Sequence, residues 1–342
     1  MSSGEVRDGV PLTNLDQPLF EGAEATKRAL VDYLEAVADL MIAELRDRPL
    51  SVVRVRPGQT PFMQKNVPKY TPPWVRTVTL WAESSRREVS YALCNDRRTL
   101  LWFANQRAIE YHPTLALAES LGQPTCLVLD IDPPSADAFG LAVRAAWLVR
   151  QALADVGLAG AVKTSGAKGV HVLVPIDAHT GSEDAAAATR AIAARAERLD
   201  PGLTTTAFIR EDRAGKVFLD STRAGGATVV AAYSPRVRPR VPVSFPVAWD
   251  DLDRVDPGDF TVRTAASLIA GPDPWAGQMP GPQRLGAALI EEGRAIPIAR
   301  VQAMHEGKRR ARARRAGTAG STGDTDGAGQ TDAAGEAGDG MS

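Results

Sequence analysis

The strongest constraint on this chain is one short stretch, Cys126-Leu127-Val128-Leu129-Asp130-Ile131-Asp132-Pro133-Pro134. Apolar residues run into two aspartates at i and i+2, and a proline pair closes the run. Such a pattern reads as a buried β-strand that stops at its C-terminal edge. Alternate side chains of a strand share a face, so Asp130 and Asp132 point the same way. Two carboxylates on one face repel each other unless a cation lies between them, and a divalent metal with oxygen ligands is the usual solution. Taken alone, the stretch fits equally well a pair of aspartates capping the turn into the next helix.

The rest of the chain reads as strands and helices arranged around this stretch. Residues 24–45 carry Leu30, Val31, Leu34, Val37, Met41, Ile42 and Leu45, which predicts one amphipathic helix. Residues 51–56 predict a strand with outward arginines. Residues 58–73 read as a loop holding Phe62, Lys65, Lys69 and Tyr70. Aromatics beside lysines on a loop suit stacking on an exposed base while phosphates are neutralised. They suit equally a loop pinned to the core by its aromatics. Strands follow at 75–80 and 88–93, then a helix over 99–110 closed by Tyr111-His112-Pro113. Beyond the opening stretch come a helix over 136–156 ended by Gly157, strands at 161–164 and 170–176, and a helix over 183–199. A short strand ends at Asp220, 227–232 is a further β-like run, and 283–304 predicts a last helix.

Composition narrows the function classes. The 342 residues carry a formal net charge of −1, but residues 317–342 hold five acids and no Lys or Arg. Without them the count is 40 basic against 36 acidic residues, a net of +4, which permits a nucleic-acid partner without requiring one. Cys94 and Cys126, widely spaced, support neither a disulfide framework nor a zinc site. No apolar run reaches membrane-spanning length, and the N-terminus lacks the apolar core of a signal peptide. The expected compartment is the cytoplasm. The expected organisation is a flexible N-terminus over 1–10, one domain over 11–305, and a basic run with a disordered low-complexity tail over 306–342.

Three pieces carry the chemistry. Asp130 and Asp132 end one strand, and Asp220 ends another. Ser165-Gly166-Ala167-Lys168-Gly169-Val170-His171 is a glycine-bearing turn between two strands. It lacks P-loop spacing, which argues against a nucleotide hydrolase. A turn of this kind exposes backbone N–H groups and sets Ser165, Lys168 and His171 on one surface to grip phosphate oxygens. Three carboxylates with such a grip are the equipment for two-metal phosphoryl transfer. His171 as a core histidine and Lys168 as a solvated turn lysine is the plainer alternative.

With these motifs in hand, the chain resembles the archaeo-eukaryotic primase superfamily, and within it the polymerase domain of bacterial ligase D and its stand-alone primase-polymerase relatives. The resemblance is carried, in the family's order, by 12–16, Thr60-Pro61-Phe62, Leu101-Trp102-Phe103-Ala104-Asn105, Tyr111-His112-Pro113, the Asp130 stretch, the Ser165 turn, Val217-Phe218-Leu219-Asp220 and Tyr233-Ser234-Pro235-Arg236. It implies an α/β (α+β) fold with mixed and antiparallel sheets flanked by helices and an RRM-like catalytic core. It implies a template-dependent polymerase that extends primers or fills gaps in end joining, using nucleoside triphosphates and a divalent metal, Mn²⁺ in preference to Mg²⁺, often with ribonucleotides. Asp130, Asp132 and Asp220 are then the metal ligands. Ser165, Lys168, His171 and Arg236 hold the triphosphate, and His112 lies beside the site. Phe62 stacks on the template, and Lys65, Arg213 and Lys27 serve DNA, Lys27 within a pocket for the 5′-phosphate of a gapped end.

Departures from the pattern bear on the DNA substrate. Gln17 stands where relatives usually carry a second pocket lysine, which predicts weakened recognition of the 5′-phosphate. Thr114 follows the His-Pro pair where a Trp is common, and Arg223 lies in a segment that often holds Asn and Gln. The remaining chain has no room for a ligase or nuclease domain, so the stand-alone form is expected. Its expected partners are gapped, primed or broken DNA, a Ku-type end-binding protein and a separate ligase, at the nucleoid. De novo priming and a catalytically weak module that aligns DNA ends are the competing expectations.

Overall fold

The computed structural model describes residues 4–82, 86–225, 227–269 and 273–298. The chain divides into a unit over Met1–Pro297 and a second over Ile298–Ser342. The basic run and low-complexity tail expected over 306–342 lie outside the described residues. The strands are β1 (Val6–Arg7), β2 (Val10–Pro11), β3 (Leu50–Arg54), β4 (Phe62–Gln64), β5 (Thr77–Ala82), β6 (Arg87–Ala92), β7 (Ala108–Pro113), β8 (Cys126–Asp132), β9 (Ala161–Thr164), β10 (Val170–Pro175), β11 (Thr204–Thr205), β12 (Val217–Asp220) and β13 (Pro246–Val247). The helices are α1 (Lys27–Ala36), α2 (Ala38–Leu45), α3 (Arg97–Asn105), α4 (Phe139–Ala154), α5 (Ser182–Leu199), α6 (Ala265–Leu268) and α7 (Ala287–Ala295).

The opening stretch is β8, as its apolar run and proline stop require. It lies inside a six-stranded sheet of order β11-β12-β8-β10-β9-β13. All neighbours are antiparallel except β11 and β12. Leu127, Leu129 and Ile131 alternate with the half-buried Asp130 and Asp132, so the strand keeps one apolar face and one acidic face at its end. Val170, Val172 and Val174 of β10 are fully buried in the same core, and α4 and α5 pack against these strands. Helix α5 carries Glu183 and Asp184 in its first turn and Arg198 in its last, matching the helix dipole at both ends. The mixed α/β class with antiparallel and mixed sheets is the expected one.

A second sheet runs β4-β3-β6-β5, with β7 also pairing to β3. Several local expectations change here. The single helix over 24–45 is two: Thr26 caps α1, and Val37, at φ −97 and ψ 6, leaves helical geometry before α2. The helix expected over 99–110 stops at Asn105. Arg107 turns the chain at φ 56, and Ala108–Pro113 pairs with β3 as a strand. Ile109 fell on the helical stripe of Leu100, Leu101, Phe103 and Ala104, but pairing with β3 decided for a strand. The loop over 58–73 contains β4. The run at 227–232 forms no strand and makes a single bridge, Thr114 to Thr228. The helix expected over 283–304 is described only as Ala287–Ala295. Arg54 does not face outward. It is buried, donating to the Gln106 carbonyl at 2.9 Å and Gln64 Oε1 at 2.7 Å, because β3 lies between two partner strands.

Glu110 of β7 ties this second sheet to the segment after Tyr233. Its Oε1 accepts from the Val237 N–H at 2.9 Å, and its Oε2 meets His112 Nε2 at 2.9 Å and Arg236 Nε at 3.2 Å. Burial works to raise the carboxyl, but the His112 hydrogen bond, the Arg236 charge and the Val237 N–H outweigh it. They hold the group at about 2, below its ordinary 4.5. A carboxyl depressed by folding adds stability above its unfolded value, and that stability is lost as pH falls toward 2. Denaturant titrations across pH 2–5 are therefore expected to show a loss that Glu110→Gln lacks. Its size is on the order of 2–3 kcal/mol. Parallel profiles for the two proteins would contradict the assignment.

Candidate active site

The register of the six-stranded sheet builds the site. Asp130 of β8 stands opposite Asp220 of β12 on one side and His171 of β10 on the other, and His171 stands opposite Lys163 of β9. Residues directly opposite in an antiparallel pair share a face, so four ionisable side chains form one row across four strands. Asp132 lies two residues along β8, on the same face, opposite Phe218.

The row is bonded along its length. His171 Nε2 lies 3.2 Å from Asp130 Oδ1. Lys163 Nζ lies 2.9 Å from His171 Nδ1 and 2.5 Å from Ser244 Oγ. At the other end the Arg223 guanidinium reaches Asp130 Oδ2 at 2.9 Å and Asp220 Oδ2 at 3.1 Å. Burial opposes charge on Asp130, but His171 and Arg223 overcome it and hold the carboxyl well below the usual range. Asp132 goes the other way, raised by burial and then by the charges of Asp130 and Asp220. Burial and the neighbouring Lys163 push His171 down to about 4, which favours the neutral ring beside Asp130. Burial, then Arg236, pushes Lys163 down to about 7.

The turn between β9 and β10 closes over this edge. Ser165 Oγ accepts from the N–H groups of Ala167 at 3.2 Å and Gly169 at 3.0 Å. Gly166 adopts φ +66, and a side chain there would also press on Ser244 N at 2.7 Å. A Cβ at Gly169 would come within 2.3 Å of the Ile131 carbonyl oxygen, so only glycine lets the turn lie against β8. Lys168 Nζ donates to the Pro133 carbonyl at 2.7 Å, beside Asp132. Arg236 Nη1 donates to the Ser165 carbonyl at 2.6 Å, and through Glu110 it joins His112 to the turn. Arg213 lies over the Phe218 ring at 3.6 Å, and its charge reaches Asp132. Ser165, Lys168, His171 and Arg213 thus stand on or against the acid-bearing strands, and Arg236 and His112 join them through the Ser165 carbonyl and Glu110.

Three other residues stand elsewhere. Phe62 lies on β4 of the second sheet, where Arg56 lies 5.1 Å and Arg54 5.9 Å from its ring centre, and Lys65, just past the end of β4, is exposed. Lys27, expected within a pocket for a 5′-phosphate, is buried. It is 2% exposed, and its ammonium donates to the Thr13 carbonyl at 2.5 Å and Asn105 Oδ1 at 2.6 Å. Burial and then Arg107 lower it to about 8. Gln17 accepts from Arg107 Nη2 at 2.7 Å, so an arginine stands beside the position that lacks the lysine. Thr114 is held by its own turn, donating from Oγ1 to the Ala116 carbonyl.

Residues not anticipated from the sequence are Lys163, Ser244 and Glu110. Lys163 had a signal, a lone charge inside Ala161-Val162-Lys163-Thr164, a strand buried along its whole length. Glu110 was hidden by the helical reading of its segment.

The donor set, three carboxylates crowded at the ends of two strands with Asp132 raised by burial and by the charges of the other two, suits a hard, oxygen-liganded divalent cation. Among the described residues no three Asp, Glu, His or Cys side chains stand ready around one point. The Arg223 guanidinium bridges Asp130 and Asp220 instead, so a cation entering there must displace it.

Comparison with known proteins agrees with this architecture. Residues 26–275 match the model of the LigD primase-polymerase domain. The multifunctional non-homologous end joining protein LigD of Mycobacterium bovis is 34% identical over 255 residues, covering 71% of this chain and 33% of its own length. The bifunctional LigD of Bacillus subtilis is 31% identical over 272 residues, covering 78% and 43%. The chain thus spans about a third to under half of these curated relatives. The solved polymerase domain of Mycobacterium tuberculosis ligase D in complex with DNA superimposes with a TM-score of 0.72 at 30% identity, covering 79% of this chain and 99% of that one. The chain therefore belongs to the LigD primase-polymerase domain family, a family of nucleotidyltransferases.

Proposed function

We propose that this protein is a template-dependent polymerase that extends primers or fills gaps at DNA breaks, in the end-joining context that its relatives' names describe. The observation that carries this reading is the register that sets Asp220 and His171 on either side of Asp130. Asp130, Asp132 and Asp220 are the residues to hold divalent cations. Such ions, Mn²⁺ or Mg²⁺, supply charge neutralisation at the attacking and leaving oxygens. The chain's own residues do the rest. Arg236, Lys168, His171 and the Ser165 hydroxyl offer donors to a nucleoside triphosphate as the primer 3′-hydroxyl attacks its α-phosphate and pyrophosphate leaves. His112 works through Glu110 to orient Arg236. Arg213 adds positive charge beside Asp132. Phe62, under Arg54 and Arg56, stacks on the template, and Lys65 neutralises backbone phosphate.

A second reading, a module that aligns DNA ends without chemistry, is favoured by one feature. Arg223 already neutralises the carboxylates that the cations would use. Primer extension separates the two. Asp130→Ala is expected to cut extension by roughly 10³-fold or more while DNA binding by fluorescence anisotropy stays close to wild type. Extension unchanged by the substitution, or absent from the wild type with either ion, would favour the alignment module. Arg223→Ala removes the competing charge, and Mn²⁺ titrated by calorimetry is expected to bind roughly tenfold more tightly than to the wild type. On gapped DNA, a 5′-phosphate is expected to change extension by less than about tenfold, since Gln17 supplies no charge and Lys27 is turned inward. A strong 5′-phosphate preference would refute that expectation.

A further inference from the structure

Lys163 is fully buried, and neither of its bonds serves the fold's backbone. Ser244 Oγ donates to the Thr164 carbonyl at 2.9 Å, so toward Lys163 it accepts. The remaining partner is His171 Nδ1 at 2.9 Å. Across the ring, Nε2 faces Asp130 Oδ1 at 3.2 Å, and that carboxylate also receives Arg223 on its other oxygen. A lysine ammonium only donates, so Nδ1 accepts and the proton of the neutral ring sits on Nε2, on the Asp130 side. If Nδ1 carried the ring proton instead, Nε2 would turn a lone pair on the carboxylate, and Lys163 would have to give up its own hydrogen bond.

We propose that Lys163 is a positioning residue that fixes His171 as the Nε2–H tautomer, so that the ring presents a donor at the carboxylate edge. The inference rests on the reading of His171 as a contact for the triphosphate. In that setting its consequence is direct. When the carboxylates turn to cations, the Nε2–H is free to donate to a phosphate oxygen. An imidazole with its lone pair on that side would repel the same oxygen. Lys163 delivers this from behind the ring, across one pair of β-strands, without touching substrate. Ser244, on the segment leading into β13, anchors its ammonium, and the same segment carries Phe245, whose N–H is held by Thr164 Oγ1 at 3.0 Å. The row is thereby locked on the side away from the acids.

The chain has four histidines, so long-range ¹H–¹⁵N correlation of the imidazoles in the full-length protein is tractable, with His171→Ala to identify the signals. In the wild type, without nucleotide, His171 is expected to show an unprotonated Nδ1 that accepts a hydrogen bond and a protonated Nε2. Lys163→Met is expected to shift it toward a tautomer mixture. It is also expected to raise the KM for nucleoside triphosphate roughly tenfold with a smaller change in kcat, as loss of an outer partner to an orienting histidine does. A wild-type His171 protonated at Nδ1 overturns the inference, and that spectrum decides even if Lys163→Met fails to fold. A tautomer unchanged in Lys163→Met also overturns it. So does an unchanged KM in Lys163→Met when His171→Ala raises it. If His171→Ala leaves the KM unchanged while the tautomer responds to Lys163, the tautomer assignment stands and the triphosphate reading of His171 fails.

Discussion

Negative charge crowded at the buried end of β8 is the constraint on which the rest of this edge depends. Asp130 and Asp220 are brought opposite one another by strand pairing, and Asp132 follows two residues along. Carboxylates cannot stay ionised in such a place without compensation. The compensation comes from three directions. Arg223 reaches in from just beyond β12, Lys168 from the turn, and the Lys163–His171 pair from β9 and β10 along the same face. Asp130 is held ionised by His171 and Arg223, whereas Asp132 is pushed up by burial and by the charges of Asp130 and Asp220. Environments that push neighbouring carboxyls apart are common where a fold is built to bind cations or phosphates.

The second sheet contributes through a single seam. Glu110 gathers Arg236, His112 and the Val237 N–H, so residues from opposite ends of the fold share one carboxylate. Arg236 then passes to the Ser165 carbonyl and fixes the turn. The turn proposed to grip phosphate is therefore held from both sheets, and the close approach of Gly169 to β8 leaves it little room to drift.

Much of this was legible in the residues. The apolar run into Asp130 and Asp132 specified a strand and the face of its acids, and the prolines specified its end. The glycines of the Ser165 turn marked a tight connection between strands. What was illegible depended on pairing. Residues 99–110 contain apolar side chains that satisfy a helical stripe, yet 108–113 became a strand because β3 offered an edge. The outward arginine expected at Arg54 is buried because β3 has strands on both sides. The burial of Lys27 beside the Thr13 carbonyl and the Asn105 amide oxygen likewise depends on segments distant along the chain.

The sequence by itself determined which chemistry was available: three acids at strand ends, a glycine-bearing turn with Ser, Lys and His, and basic residues after Tyr233. Those are local properties, set by side-chain alternation and by the backbone freedom of glycine. Only the tertiary structure decided who stands opposite whom. Register put Asp220, Asp130, His171 and Lys163 in one row, though they lie far apart along the chain. It also turned Lys163 from an odd charge in an apolar strand into the partner of a site histidine. Register follows from the summed pairing and burial of whole strands, and a slip of one residue would send every one of these side chains to the opposite face.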